Sequence, residues 1–330
     1  MIVNSPFKPA WWLPGGHLQT LWPNLLRKRS RLSLVRERFE LPDGDFVDLD
    51  WTTGTSGPLV LILHGLEGCS ASPYAAGILR TLHDNGMRAV LMHFRGCSGE
   101  SNRLDRSYHS GETEDLHTVV HLLHTRMPHA PLAAIGYSLG GNVLLKWLGE
   151  QGAEAPLAAA VAVSVPFDLH RAARRLERGF SRLYQSVLLR SLRRSVARKF
   201  RHRACSFALN EALQTRSLRE FDTKVTAPLH GFADADDYYT RSSCAQYLRG
   251  IRVPTLILHA LDDVFMTADA VPSPEALSDS VTLELSASGG HVGFVAGPWS
   301  WRPQYWLEER IPAYLRSAMK EATAADPVRC

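Results

Sequence analysis

A mostly parallel β-sheet covered by helices on both faces is the fold class this sequence predicts, and three observations predict it. Short apolar runs rich in β-branched residues alternate with helical patterns along the chain. These runs stay apolar at successive positions, as strands buried on both faces must. Upstream of them, FELPDGDFVDLDW at 39–51 sets an Asp-Gly pair between two alternating runs, which is the pattern of an antiparallel hairpin at a sheet edge.

In chain order the hairpin is followed by LVLILH (59–64), RAVLMHF (88–94), LAAIGY (132–137) and LAAAVAVSV (157–165). The alternation stops after Pro166, and a helical insertion is expected over 167–222. Within it, Leu176, Phe180, Leu183, Tyr184, Val187 and Leu188 begin a series at helical spacing. Strand character resumes with TLILHAL (255–261) and VTLELSA (281–287). With 330 residues, 45% hydrophobic and 21% charged, the chain has the composition of a globular protein and not of a disordered or fibrous one. We read residues 1–330 as one domain carrying the 167–222 insertion.

Five cysteines, with no CxxC pair, argue against a disulfide framework and a thiolate metal site. The first 22 residues lack a basic segment, an unbroken apolar run and a small-residue cleavage site, and no run approaches the length of a spanning helix. A cytoplasmic protein is expected. Residues 171–203 hold twelve Lys or Arg against a single acid, Glu177, whereas the whole chain carries only +4. The basic character therefore comes from the insertion.

Gly136-Tyr137-Ser138-Leu139-Gly140 is the only Gly-x-Ser-x-Gly in the sequence. An apolar strand runs into it and a helical pattern, Leu139, Val143, Leu144, Trp147 and Leu148, follows. This is the setting of a nucleophile elbow, in which a sharp strand-to-helix turn exposes the serine and the flanking glycines avoid collisions. A serine hydroxyl needs a neutral imidazole to take its proton. His291, in SASGGHVGF after the last strand-like run, is the candidate base, with Gly289 and Gly290 to let its loop curl toward the elbow. The acid should follow a strand between Ser138 and His291, and TLILHALDD ends in two aspartates. Asp263 is preferred because this fold presents the acid a few residues beyond the strand end; Asp262 stays as the alternative. The first central strand ends in His64-Gly65-Leu66-Glu67-Gly68, so the backbone N–H groups of Leu66 and Leu139 are the expected oxyanion donors.

Taken together, HGLEG, HFRGCSGESNRLDRSYHSGETEDL (93–116), GYSLGGN, LILHALDDVFM, GGHVGF and the N-terminal PAWWLPGGHLQTLWP resemble the YheT-like branch of the α/β-hydrolases, relatives of the ABHD-type lipases and esterases. The resemblance spans about residues 9–315. It implies the α/β-hydrolase fold with a helical lid, a triad of Ser138, Asp263 and His291, and activity on carboxylic esters such as acylglycerols or short acyl esters, with no cofactor or metal. A thioesterase or amidase would use the same triad, and a non-catalytic binding protein could keep the same fold.

Three features invite other readings. Cys97 in RGCSGE precedes any elbow and has no evident base, which weakens it as a nucleophile. His117, His121 and His124 fall at i, i+4 and i+7, the spacing of a zinc-binding face, but interleaved leucines and valines fit a partly buried amphipathic helix better. The basic insertion lacks interleaved aromatics and any DNA-binding motif, so no nucleic acid is expected. A lid over the site is its first reading, and peripheral contact with an anionic membrane surface its second.

Overall fold

The computed structural model describes residues 1–27 and 32–325; Cys330 lies outside them. The chain runs β1 (Ile2–Asn4), α1 (Gly15–Leu26), β2 (Leu34–Glu40), β3 (Phe46–Thr52), β4 (Leu59–Leu63), α2 (Pro73–Asp84), β5 (Arg88–Met92), α3 (Glu114–Arg126), β6 (Leu132–Tyr137), α4 (Leu139–Gln151) and β7 (Ala159–Val163). Helices then follow without a strand: α5 (Leu169–Leu176), α6 (Ser181–Lys199), α7 (Leu209–Gln214), α8 (Leu218–Phe221), a π-turn (Asp222–Thr226), α9 (Ala227–His230), α10 (Ala235–Ser242) and a 3-10 segment (Cys244–Gly250). The chain closes with β8 (Thr255–Ala260), β9 (Val281–Ser286), a short ribbon of β10 (Val295–Ala296) and β11 (Gln304–Tyr305), and α11 (Trp306–Ala325).

Nine strands form one sheet in the order β1-β9-β8-β7-β6-β4-β5-β3-β2. Every pairing from β1 through β5 is parallel. The β2–β3 hairpin closes one edge antiparallel, with Asp50 facing Arg36 and Leu91 across its two ladders. All five residues of β4 are buried, because helices cover both faces. Leu59, Leu61 and Leu63 enter the core shared with α3 and α4, while Val60 and Ile62 enter the core shared with α2 and α11. That alternation explains why these runs are apolar throughout.

β1 has no counterpart among the strands expected from the sequence. Three residues carry no readable periodicity; they are held by parallel pairing of Ile2, Val3 and Asn4 with Leu283, Glu284 and Leu285. The helical stretch between β7 and β8 also continues past residue 222 as far as Gly250. Its later helices are four to eight residues long and set by local caps, such as Asp234 accepting from the Asp236 and Asp237 N–H groups. Elements that short leave little apolar periodicity to read.

Two of the blocks that carry the resemblance meet at a buried ion cluster. Arg95 of the RGCSGE block, 3% exposed, donates to both oxygens of Asp115 in the SGETED block at 2.7 and 2.6 Å, and to Asp45 at 3.0 Å. These charges pair with one another, so the blocks hold loops at the carboxyl ends of the strands together.

Candidate active site

Ser138 stands between the last residue of β6 and the first of α4, with φ +52° and ψ −117°. Such a backbone costs about 1–3 kcal/mol and persists only where the surroundings enforce it. Here the Ser138 N–H donates to the Val163 carbonyl at 2.8 Å, and the Ser138 carbonyl accepts from the Asn142 N–H at 3.0 Å. The flanking glycines are sterically required: a Cβ on Gly136 would lie 2.4 Å from the Gly140 carbonyl oxygen, and one on Gly140 would lie 2.6 Å from the carbonyl oxygens of Leu63 and His64. With no side chain there, α4 packs directly on the end of β4.

His291 follows β9, and its Nε2 lies 2.9 Å from Ser138 Oγ. On the other side of the ring, Nδ1 lies 2.9 Å from Asp263 Oδ2 and 3.2 Å from Oδ1. Burial pushes the Asp263 carboxyl up, but the charge and hydrogen bond of His291 outweigh it and hold the group below its ordinary value. A carboxylate at Nδ1 requires that nitrogen to carry the ring proton, which leaves the Nε2 lone pair for the serine hydroxyl. Asp262 faces elsewhere, accepting from the Gly290 N–H at 2.8 Å. Of the two aspartates the sequence left open, Asp263 is the one that meets the imidazole.

The loop carrying His291 is strained and heavily braced. Gly290, Val292 and Phe294 all have φ between 45° and 61°. The His291 N–H donates to Thr20 Oγ1 at 2.8 Å, the Val292 N–H to Ser164 Oγ at 3.0 Å, and the Val295 N–H to Gln19 Oε1 at 2.7 Å. Phe265 stacks on the imidazole, with ring centroids 4.0 Å apart. α1 is wedged between the acid and base loops so tightly that a Cβ on Gly16 would lie 2.0 Å from the Asp262 carbonyl oxygen. Sequence reasoning missed Gln19, Thr20, Ser164 and Phe265. The one available signal was a Gln-Thr pair inside a helical pattern, and both side chains are buried.

Across residues 65–68 of the loop after β4, three of the four amides are taken. The Gly65 N–H donates to Tyr74 Oη at 2.8 Å, Glu67 N–H to Tyr108 Oη at 2.8 Å, and Gly68 N–H to the Gly65 carbonyl at 2.9 Å. Among the described hydrogen bonds the Leu66 N–H has no such partner. The Leu139 N–H opens α4, where the first amides lack intrahelical acceptors and the helix dipole is positive. Both residues line the cavity beside Ser138 and His291. His64 is fully buried, and burial lowers it to about 3. Its Nε2 accepts from the Phe94 N–H at 3.1 Å and its Nδ1 donates to the Gly65 carbonyl at 2.7 Å, so it shapes the loop rather than the chemistry.

The cavity beside these groups has a volume of about 610 Å³ and is roofed by the helices between β7 and β8. Leu183, Val187, Leu188 and Leu192 of α6 give it an apolar lining, joined by Leu21 and Leu25 of α1. Cys97 is half-buried, and desolvation pushes its thiol well above the ordinary value, which removes the thiolate a nucleophile needs. His117, His121 and His124 lie on α3 without converging into a ligand set among the described residues. His109, Glu112 and His230 do converge, with ligand atoms within 4.8 Å of one another. Their hydrogen bonds do not suit a cation: the Gly111 N–H donates to His109 Nδ1 at 3.1 Å, so the neutral ring keeps its proton on Nε2, and Arg106 already donates to Glu112 Oε2 at 2.6 Å.

The alpha/beta hydrolase fold family matches residues 58–298, and the chain belongs to that family. It is similar to YheT of Escherichia coli (strain K12), an esterase by provisional name, at 45% identity covering 96% of this chain and 95% of YheT. Phospholipase ABHD3 of Mus musculus is 33% identical, covering 90% of this chain and 75% of that protein. The backbone is similar to that of the Pyrococcus furiosus esterase Pf2001, with a TM-score of 0.59 at 18% identity over 96% of this chain and 98% of that one, a likeness of fold alone. Within the α/β-hydrolases the chain is a member of the YheT-like branch, of esterase/lipase type. Among the described residues no helix is long and apolar enough to cross a membrane.

Proposed function

We propose that this protein hydrolyses carboxylic esters through an acyl-enzyme on Ser138, with His291 as base and acid, Asp263 as the group that orients and stabilises the imidazole, and the Leu66 and Leu139 N–H groups as the oxyanion hole. The observation that carries the reading is the continuous chain from Ser138 Oγ to His291 Nε2 to Asp263, 2.9 Å at each link, opening on a largely apolar cavity. Ser138 Oγ bonds to the ester carbonyl carbon as its proton passes to His291 Nε2. The carbonyl oxygen becomes an oxyanion held by the two amides, a contribution of about 10²–10³-fold per donor. The C–O bond then breaks, His291 gives its proton to the departing alkoxide, and a water deprotonated by His291 releases the acid and restores Ser138. Water is the only co-reactant. A thioester or amide would follow the same steps with a different leaving group.

The test is covalent. Incubation with a fluorophosphonate is expected to add one label at Ser138, read by peptide mass spectrometry, and folded protein that stays unlabelled would overturn the proposal. A panel of p-nitrophenyl esters of increasing acyl length then reads how the apolar wall selects substrate. A cytoplasmic setting goes with this reading, since Cys69, Cys97, Cys205 and Cys244 are all free thiols; recovery in the membrane-free or the exported fraction of cells decides it.

The cavity mouth supports lipid esters presented at an anionic surface. Leu183 and Val187 of α6 and Leu25 of α1 line the cavity and are 50%, 58% and 73% exposed, and Phe180, just before α6, is 51% exposed. Arg182, Arg190 and Arg194 of the same helix are exposed around them, so an apolar rim is bordered by cations, as at an interfacial helix. Vesicles of phosphatidylglycerol and phosphatidylcholine are expected to sediment the protein at low salt, with recovery falling several-fold for Arg190→Glu/Arg194→Glu. Equal recovery with pure phosphatidylcholine would remove the charge contribution.

A further inference from the structure

α6 crosses the cavity and is fastened on both sides of it. Near its start the buried Ser181 hydroxyl donates to the Val264 carbonyl at 2.7 Å, one residue from Asp263. At its end Lys199 Nζ donates to Asn102 Oδ1 at 2.8 Å and the Arg106 carbonyl at 2.7 Å. Between these, Ser191 and Ser195 lie one turn apart on one face and donate to a single oxygen, Oε2 of Glu67, at 2.9 and 2.6 Å. A serine inside a helix can turn its hydroxyl back to the carbonyl four residues earlier, as Ser186 does to Arg182 at 2.8 Å. Ser191 and Ser195 instead reach across 124 and 128 residues of sequence to one carboxylate.

That carboxylate belongs to the residue after Leu66. Its other oxygen accepts the Tyr108 hydroxyl at 2.9 Å, and the Tyr108 oxygen in turn accepts the Glu67 N–H at 2.8 Å. Burial pushes the Tyr108 phenol well above its ordinary value, which keeps its proton in place. Glu67 itself holds φ +53°, a conformation that a glutamate keeps only when its neighbours hold it there. Two of the three hydroxyls on its side chain come from the lid.

We propose that Glu67 is a positioning residue through which the seating of α6 sets the Leu66 N–H toward Ser138. The chemistry rests on the reading under Proposed function; the inference adds that the oxyanion donor depends on the lid. With α6 seated, Glu67 is held at main chain and side chain and the spare amide beside it keeps its direction. With α6 lifted, the carboxylate retains Tyr108 alone, and the 65–68 loop is free to relax out of its positive φ.

The test uses the full chain with Ser191→Ala/Ser195→Ala, which removes the lid's half of the contact and leaves Tyr108, Glu67 and the reacting groups intact. Hydrogen exchange over residues 64–70 is expected to quicken at least fivefold, a readout that needs no turnover. With p-nitrophenyl butyrate, kcat is expected to fall about tenfold, part of what one oxyanion donor contributes, with KM within twofold, and Ser191→Thr/Ser195→Thr to restore both readouts. Glu67→Gln, the same size without the charge, is expected to act in the same direction. Unchanged exchange over 64–70 in a folded double variant overturns the coupling, and quicker exchange with unchanged kcat overturns the positioning role. Wild-type turnover that survives Ser138→Ala would count against the proposed function instead, and leaves the exchange result standing.

Discussion

Exchanging Ser138 for alanine is expected to lower kcat for a short-chain ester by at least about 10⁴-fold, because removing the nucleophile of such a triad leaves only what binding and the oxyanion hole supply. Stability should hardly change. Alanine meets the same steric objection to φ +52° as serine does, and the backbone bonds of residue 138 to Val163 and Asn142 remain. The one side-chain bond lost is the 2.9 Å contact with His291, about 0.5–1.5 kcal/mol. Steady-state turnover with a thermal melt reads both quantities. Turnover preserved in a folded variant would mean that another group does the chemistry.

Asp263→Asn should cost nearly as much, about 10⁴-fold in kcat at neutral pH, for a reason the hydrogen bonds specify. The Phe265 N–H donates to Asp263 Oδ1 at 2.8 Å, so an asparagine keeps its carbonyl oxygen there and turns its NH₂ into the Oδ2 position, 2.9 Å from His291 Nδ1. A donor at Nδ1 forces the ring proton onto Nε2, and an Nε2–H facing Ser138 cannot accept the serine proton. Asp262→Asn is the matched control. Its carbonyl oxygen can still accept the Gly290 N–H that Asp262 Oδ1 now accepts, and the loss should stay within about tenfold. Rates of fluorophosphonate labelling for the two variants separate them; equal losses would mean that Asp263 acts through the fold and not through the tautomer.

Much of the architecture was legible because the central strands are buried on both faces, and a run such as LVLIL cannot be read as anything exposed. The elbow was legible because glycines 136 and 140 have steric reasons to be there. His291 and the pair Asp262/Asp263 followed from chain order, but choosing between adjacent aspartates needs the direction of each side chain. β1 is too short for periodicity, and the later helices between β7 and β8 owe their form to caps. The supports of the site were not legible at all. Nothing local marks Gln19 and Thr20 as braces of a loop near residue 291, and nothing in LRSLRRSV (189–196) tells that Ser191 and Ser195 answer to Glu67. Such contacts join residues more than a hundred positions apart, where neither spacing nor composition carries information.

The hydrogen bond from the His291 amide to Thr20 spans 271 residues, and this distance orders events during synthesis. The helix that braces the imidazole is made well before it, since Thr20 and His291 stand 271 residues apart. Ser138, the loop after β4 and the helices between β7 and β8 all precede His291 in the chain. Until the loop after β9 has been made, Ser138 therefore has no imidazole beside it, and α1 and that loop must both be in place before the contact of His291 with Ser138 is braced.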